Sequence, residues 1–294
     1  MGATANVAAM SAPPASAARR FWSLYEPVHA ICYYHPTFAE TLVGAGLTGS
    51  WNGYFAGRAA PLGASASSAV VAALFFGFSP AMVARAIPKI WHRIEPAAAV
   101  QARLHAAQVV LQDAATAGSF DDLRRVTDLL ERSADSLCCD GRALAAAWAA
   151  ESRPTSTLAR LWLAATVLRE HRGDGHVAVA TAMGLTGLEL ALTHIGTGAV
   201  PRQVLAAHRG WTDGQWAEAT ERLTGLGIID DRGRLTARGR ALRQEIEAAT
   251  DRIAAGGHDL LDDTPSRHVL TSLTRALFDR GAIVVPNPIG VTRC

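Results

Sequence analysis

The chain has 294 residues, 49% of them apolar and 18% charged, with a formal net charge of +2. That length suits two domains of ordinary size, and the composition is that of a globular chain rather than a disordered one. Residues 1–150 hold 11 basic and 10 acidic side chains and the remainder 17 and 16, so neither half is a basic module with a strong non-specific grip on nucleic acid.

Residues 1–18 are rich in Ala, Ser and Pro, with no basic residue ahead of their weakly apolar part. They read as a disordered tail and make a poor signal peptide. In the first half, apolar residues spaced by three and four predict helices near 20–34, 36–45, 48–57, 66–76, 79–91, 96–117, 120–136 and 140–151. Pro61-Leu62-Gly63 and Ser79-Pro80 punctuate them, and Pro80 suits a first helical turn. The most apolar run, Ala69 to Phe78, is too short to cross a bilayer, so no membrane partner is expected. Cys32, Cys138, Cys139 and Cys294 include no C-x-x-C pair. A reduced, cytoplasmic protein is the simplest reading.

In the second half, Thr155 to His171 is an amphipathic helix with Leu158, Leu161, Trp162, Ala165 and Leu168 on one stripe. Arg172-Gly173-Asp174-Gly175 is expected to break it, with helices to follow over His176–Met183, Leu185–Ile195 and Pro201–His208. Thr212 is the expected N-cap of a helix from Asp213 to Leu226. Ile228-Ile229 then reads as a short strand, Asp230 to Gly233 as a turn, and Arg234 to Thr236 as a return strand leading into a helix that ends near Ile253.

The two halves share landmarks. Arg20-Phe21-Trp22 is echoed by Arg160-Leu161-Trp162, Gly46-Leu47-Thr48-Gly49 by Gly184-Leu185-Thr186-Gly187, and Ala60-Pro61 by Val200-Pro201. His35 falls near the counterpart of His176. Two like halves tend to pack about a twofold axis, as subunits of a dimer do. The expected fold is therefore mainly α. It has two tandem helical lobes, 19–152 and 153–294, in a pseudo-dimeric arrangement, with a short β-wing in the second; the resemblance described next implies that both lobes are winged-helix-like. The chain would act as a monomer of this kind or as a homodimer.

Residues 155–254, with their helix order, ribbon and the stretch Leu235-Thr236-Ala237-Arg238-Gly239-Arg240, resemble a winged helix-turn-helix of the MarR type. Over the full length, Trp22–Ala30, Gly53–Gly63 and Arg172–Ala178 together resemble the actinobacterial SalK-like helix-turn-helix proteins. The resemblance implies a DNA-binding ancestry. MarR-like regulators bind small molecules between the DNA-binding lobe and the dimerisation helices, which makes a small-molecule ligand the expected partner and transcription regulation the expected role.

DNA is weakly supported as a second partner. In the helix expected to read bases, Gln215, Thr220 and Arg222 are the plausible readers, and Arg232 and Arg234 of the wing could touch phosphates. Asp213, Glu218 and Glu221 would face the polyanion. The alternative is a cofactor-independent enzyme of small-molecule metabolism on a scaffold that no longer binds DNA. Its acid–base groups would be Tyr25, Glu26, His29, Asp174 and His176, with Asp174 orienting the His176 imidazole. Ligand-binding candidates shared by both readings are Trp51, Tyr54, Arg58, His35 and Arg172. Arg58, among apolar neighbours, needs a partner such as Glu26 or a ligand carboxylate. Glu26 and His29 have Glu-x-x-His spacing, but no second such pair accompanies them, so no metal is expected. No G-x-x-x-x-G-K-[ST], G-x-G-x-x-G, H-E-x-x-H or G-x-S-x-G motif supports nucleotide, NAD or hydrolase chemistry, and no cofactor is expected.

Overall fold

The computed structural model describes residues 16–115, 119–254 and 259–293. Among the described residues the first half holds eight α-helices: α1 (Ala17–Tyr34), α2 (Pro36–Gly44), α3 (Ser50–Ala59), α4 (Ser68–Leu74), α5 (Pro80–Ala86), α6 (Pro96–Ala114), α7 (Phe120–Asp135) and α8 (Ala143–Ala149). Each lies where the apolar spacing placed one. Local chemistry fixes their ends. Pro36, Pro80 and Pro96 open α2, α5 and α6, where a missing N–H costs nothing. Ser119 and Asp122 form a reciprocal capping box at the start of α7. Pro27 sits inside α1 without ending it. The Ala/Ser/Pro-rich tail lies outside the described residues up to position 15, and Ser16 already caps α1.

The second half departs from expectation at its first element. α9 runs unbroken from Thr157 to Ala182; the turn expected at Arg172–Gly175 does not form. Those residues serve tertiary packing instead. A side chain on Gly175 would come within 2.3 Å of Arg142 Nη1 and 3.0 Å of Ile253 Cδ1. Asp174 accepts hydrogen bonds from the N–H groups of Leu144 and Ala145, at 2.9 and 3.0 Å, and so satisfies the first turn of α8.

α10 (Gly187–Ile195), α11 (Arg202–Arg209), α12 (Asp213–Gly225), α13 (Ala237–Ile253), α14 (Asp259–Asp262) and α15 (Thr264–Asp279) follow. Capping boxes start α10 (Thr186 with Glu189) and α12 (Thr212 with Gln215). The β-wing is a correction. Among the described residues the ribbon shrinks to one antiparallel bridge, Ile229 with Leu235. The Asp230 carboxylate takes the N–H groups of Arg232 and Arg234 at 3.0 and 2.9 Å. The Leu235 N–H turns to the Gly196 carbonyl at 3.1 Å. Two ladder bonds flank that bridge, from the Asp230 N–H to the Arg234 carbonyl at 2.8 Å and from the Thr236 N–H to the Ile228 carbonyl at 3.0 Å, and the ribbon goes no further.

α9 is the mast of the molecule. Its first part packs among α1, α6, α7 and α8, and α13 lies along it as well. One apolar core takes residues from Phe21 to Leu168 and closes with Leu260 to Ile283; a second, smaller core runs from Val179 to Ala249. The larger core thus draws on both sides of position 152. Gly46 and Gly184, which open the matching Gly-Leu-Thr-Gly stretches before α3 and α10, both have positive φ, 100° and 75°. Among the described residues no single helix is long and apolar enough to cross a membrane. α9 and α10 meet both conditions only together, as a pair bent by 97°.

Candidate functional site

α10, α11 and α12 build a helix-turn-helix around the second core. Trp216, Ala219 and Leu223 of α12 face inward, with Leu188, Leu192 and Leu205 beside them. Gly210, at φ 70°, makes the left-handed step after α11 that the turn requires. This turn is docked on the segment between α4 and α5. The Ser79 N–H donates to the Arg209 carbonyl at 2.8 Å, and Trp211 Nε1 donates to the Gly77 carbonyl at 3.1 Å. α10 approaches the same segment so closely that a methyl group on Gly187 would lie 1.6 Å from the Phe76 carbonyl oxygen.

The outward face of α12 exposes Asp213, Glu218 and Glu221. The five residues read as DNA contacts are mostly engaged locally. Gln215 closes its capping box, and the Thr220 hydroxyl donates to the Trp216 carbonyl at 2.7 Å. Arg222 pairs with Glu189, and Arg234 pairs with Asp230 at 2.9 Å. The Arg232 side chain alone of the five is exposed without a polar partner among the described residues.

The densest polar chemistry lies between α1, α3 and α9. Glu170 has 0% exposure and receives both arms of the Arg58 guanidinium at 2.8 Å each. Arg169 donates to the same carboxylate at 2.6 Å and reaches Glu26 at 3.7 Å. Burial alone would raise the Glu170 pKa, but Arg169 and Arg58 outweigh it and hold the carboxyl well below the usual range. Glu26, bonded by Trp22 Nε1 at 3.0 Å, is pushed the other way by burial, against the pull of Arg169.

His29 is fully buried and stacks on Trp162 with ring centroids 5.7 Å apart. Its Nδ1 lies 2.9 Å from the Thr166 hydroxyl, whose own proton goes to the Trp162 carbonyl. Nδ1 therefore carries the imidazole proton, and the bare Nε2 accepts from the Tyr33 hydroxyl at 2.8 Å. Burial lowers the His29 pKa, so the ring is neutral. Tyr54 accepts from Arg58 at 3.3 Å. Trp51 and Tyr54 join Phe55, Phe75 and Phe78 in one aromatic group.

A second polar group joins α9 to α13 and the start of α1. His176 Nδ1 meets the Thr250 hydroxyl at 2.9 Å, and burial lowers its pKa to about 4. Arg172 pairs with Asp251, and Glu247 takes Arg243 at 2.7 Å together with Arg19.

The expected site residues therefore separate. Glu26, His29, Arg58 and Tyr54 share the α1–α3–α9 seam. Tyr25 packs edge-on against Phe21 in the core. His35 caps α2, accepting from the Thr37 N–H at 3.3 Å. Asp174 caps α8 and does not orient His176, which belongs with Arg172 to the α13 group. Arg58 meets Glu170 rather than Glu26. Sequence reasoning missed Glu170, Arg169, Thr166, Tyr33 and Arg209. A signal existed for two of them: Arg169-Glu170 are adjacent charges in an otherwise apolar stretch of helix.

No curated protein and no solved structure matches the chain. A helix-turn-helix family model matches residues 18–284, which takes in both the docked turn and the α1–α3–α9 seam. On that match the chain belongs to this helix-turn-helix family.

Proposed function

We propose that this helix-turn-helix protein binds a small molecule where α1, α3 and α9 meet the end of α11, and that it is a ligand-responsive regulator of transcription. In this reading the chain is a pseudo-dimer. Two winged-helix-like lobes, 19–152 and 153–294, face each other as two subunits would, and the ligand sits between them. The matching order of helices after the two Gly-Leu-Thr-Gly stretches supports this, as does the likeness to SalK-like proteins and, in the second half, to MarR-type regulators. One observation carries the ligand: the Tyr34 hydroxyl at this junction is buried without a partner among the described residues, and buried donors are rarely left unmatched.

The regulator form is tested by titrating the protein with duplex DNA from upstream of its own coding sequence, over a range of salt. The reading expects binding at low salt that weakens as salt rises, by about 0.9 in the log–log slope for each phosphate neutralised. Few cations are free on this face, so the dependence should be shallow. The second reading, a cofactor-independent enzyme on a scaffold that no longer binds DNA, is favoured by the acidic outward face of α12. No binding at low salt would select it.

A further inference from the structure

We infer that the cleft between α7, α8 and α9 is a second binding site, and that it takes a small amino alcohol: an organic cation with a hydroxyl beside its ammonium group and a short aliphatic body. The cleft shares no lining residue with the polar seam of Glu26, His29, Arg58 and Glu170, and the inference stands apart from the ligand proposed there.

The cleft holds about 240 Å³, room for about eight groups the size of a water molecule at about 30 Å³ each. Leu137, Trp148, Leu163 and Val167 supply much of its wall, which suits an aliphatic guest. Its carboxylates differ in their partners. Arg160 donates to Glu131 at 2.9 Å, and Arg153 pairs with Asp135 and reaches Glu131 at 3.9 Å. Glu151 has no ion pair and no side-chain hydrogen bond among the described residues. Burial alone acts on its carboxyl and raises the pKa, so no guanidinium stands near enough to offset the loss of water. Three carboxylates thus face one lining guanidinium, that of Arg153, and the surplus favours a cationic guest.

Trp148 supplies the second unmet group. Its side chain has 0% exposure, and its Nε1–H is buried with no acceptor among the described residues. Arg103 lies 5.8 Å over the ring, and Trp162 meets it edge-on at 5.8 Å, so the ring is held in place. Buried donors are rarely left unmatched. Glu151 follows three residues later, and its N–H donates to the Trp148 carbonyl at 3.3 Å. That spacing sets the two side chains on one side of the end of α8. A donor and a carboxylate so placed match a guest whose acceptor and cation are neighbours. The ammonium group meets Glu151, and the hydroxyl oxygen accepts from Trp148. An amino acid would bring its own carboxylate into the same negative surplus.

The test measures binding of leucinol to the full chain by calorimetry. It is compared with isoamylamine, which lacks the hydroxymethyl arm, isohexanol, which lacks the amine, and leucine. Leucinol should bind saturably and about threefold to tenfold tighter than isoamylamine, the worth of one hydrogen bond. It should bind at least about fivefold tighter than isohexanol or leucine, the upper end for a half-exposed ion pair. Glu151→Gln changes a side chain with no partner to lose, and it should erase the preference for leucinol over isohexanol. Alkylation by iodoacetamide, followed by mass spectrometry, locates the guest. Cys139 lines the cleft and is half-buried, whereas Cys138 is exposed. Saturating leucinol should slow the reaction of Cys139 and leave that of Cys138 unchanged. Equal binding of leucinol and isohexanol, or indifference to Glu151→Gln, overturns the cation. Leucinol no tighter than isoamylamine overturns the role of Trp148, and leucine tighter than leucinol overturns the amino alcohol. An unprotected Cys139, or no binding of any of the four, overturns the site.

Discussion

Glu170 is the residue on which the α1–α3–α9 seam is balanced. Its carboxylate is shared by Arg58 and Arg169, and it has no access to water. Replacing it by Gln keeps the shape and removes the charge, leaving two guanidinium groups short of their counter-ion. Breaking a buried pair from one side costs about 3–5 kcal/mol. Glu170→Gln should therefore lower the midpoint of denaturant unfolding by an amount in that range. A double Arg58→Met, Glu170→Met variant should recover part of the loss, since Arg58 is then no longer stranded and Arg169 keeps only Glu26, at 3.7 Å. A single variant as stable as the parent would mean the seam holds water or ions in place of a dry pair. The need for a partner at Arg58 was legible in the sequence, because a charge in that apolar and aromatic stretch had to be paired. The identity of the partner was not, because Glu170 lies 112 positions away and only the packing of α3 against α9 selects it.

At the scale of elements, α9 shows where local signals were overruled. Arg172-Gly173-Asp174-Gly175 has the composition of a turn, yet the helix passes through it. Gly175 admits Arg142, which donates to the Ile253 carbonyl at 2.8 Å, and Asp174 supplies the cap that α8 lacks. Asp174→Ala should cost about 1–2 kcal/mol, the loss typical of a cap with its N–H groups left unmet, read as a shift in the unfolding midpoint. Unchanged stability would return Asp174 to the candidate acid–base groups. The wing was cut short for a related reason: an apolar pair, a polar turn and a return strand suited a ribbon, but beyond its two ladder bonds the Arg234 N–H goes to the Asp230 carboxylate and the Leu235 N–H to Gly196. The first eight helices were legible because prolines, capping boxes and three-four apolar spacing agree with one another there.

At the scale of the molecule, family membership and surface chemistry pull apart. The helix-turn-helix is present, with its left-handed glycine and its buried Trp216, but its outward helix is acidic and its turn is bonded to the segment between α4 and α5. That bonding makes the junction, rather than α12 alone, the place where a ligand could alter the helix-turn-helix. The most direct measurement is amide hydrogen exchange along the full chain with and without a saturating small molecule selected from a thermal-shift screen of the full chain. The account predicts slower exchange in the last turn of α1, in α3 and in α11 through Thr212, and no change in α7. Protection confined to α7, or no change at all, would contradict a ligand site at that junction.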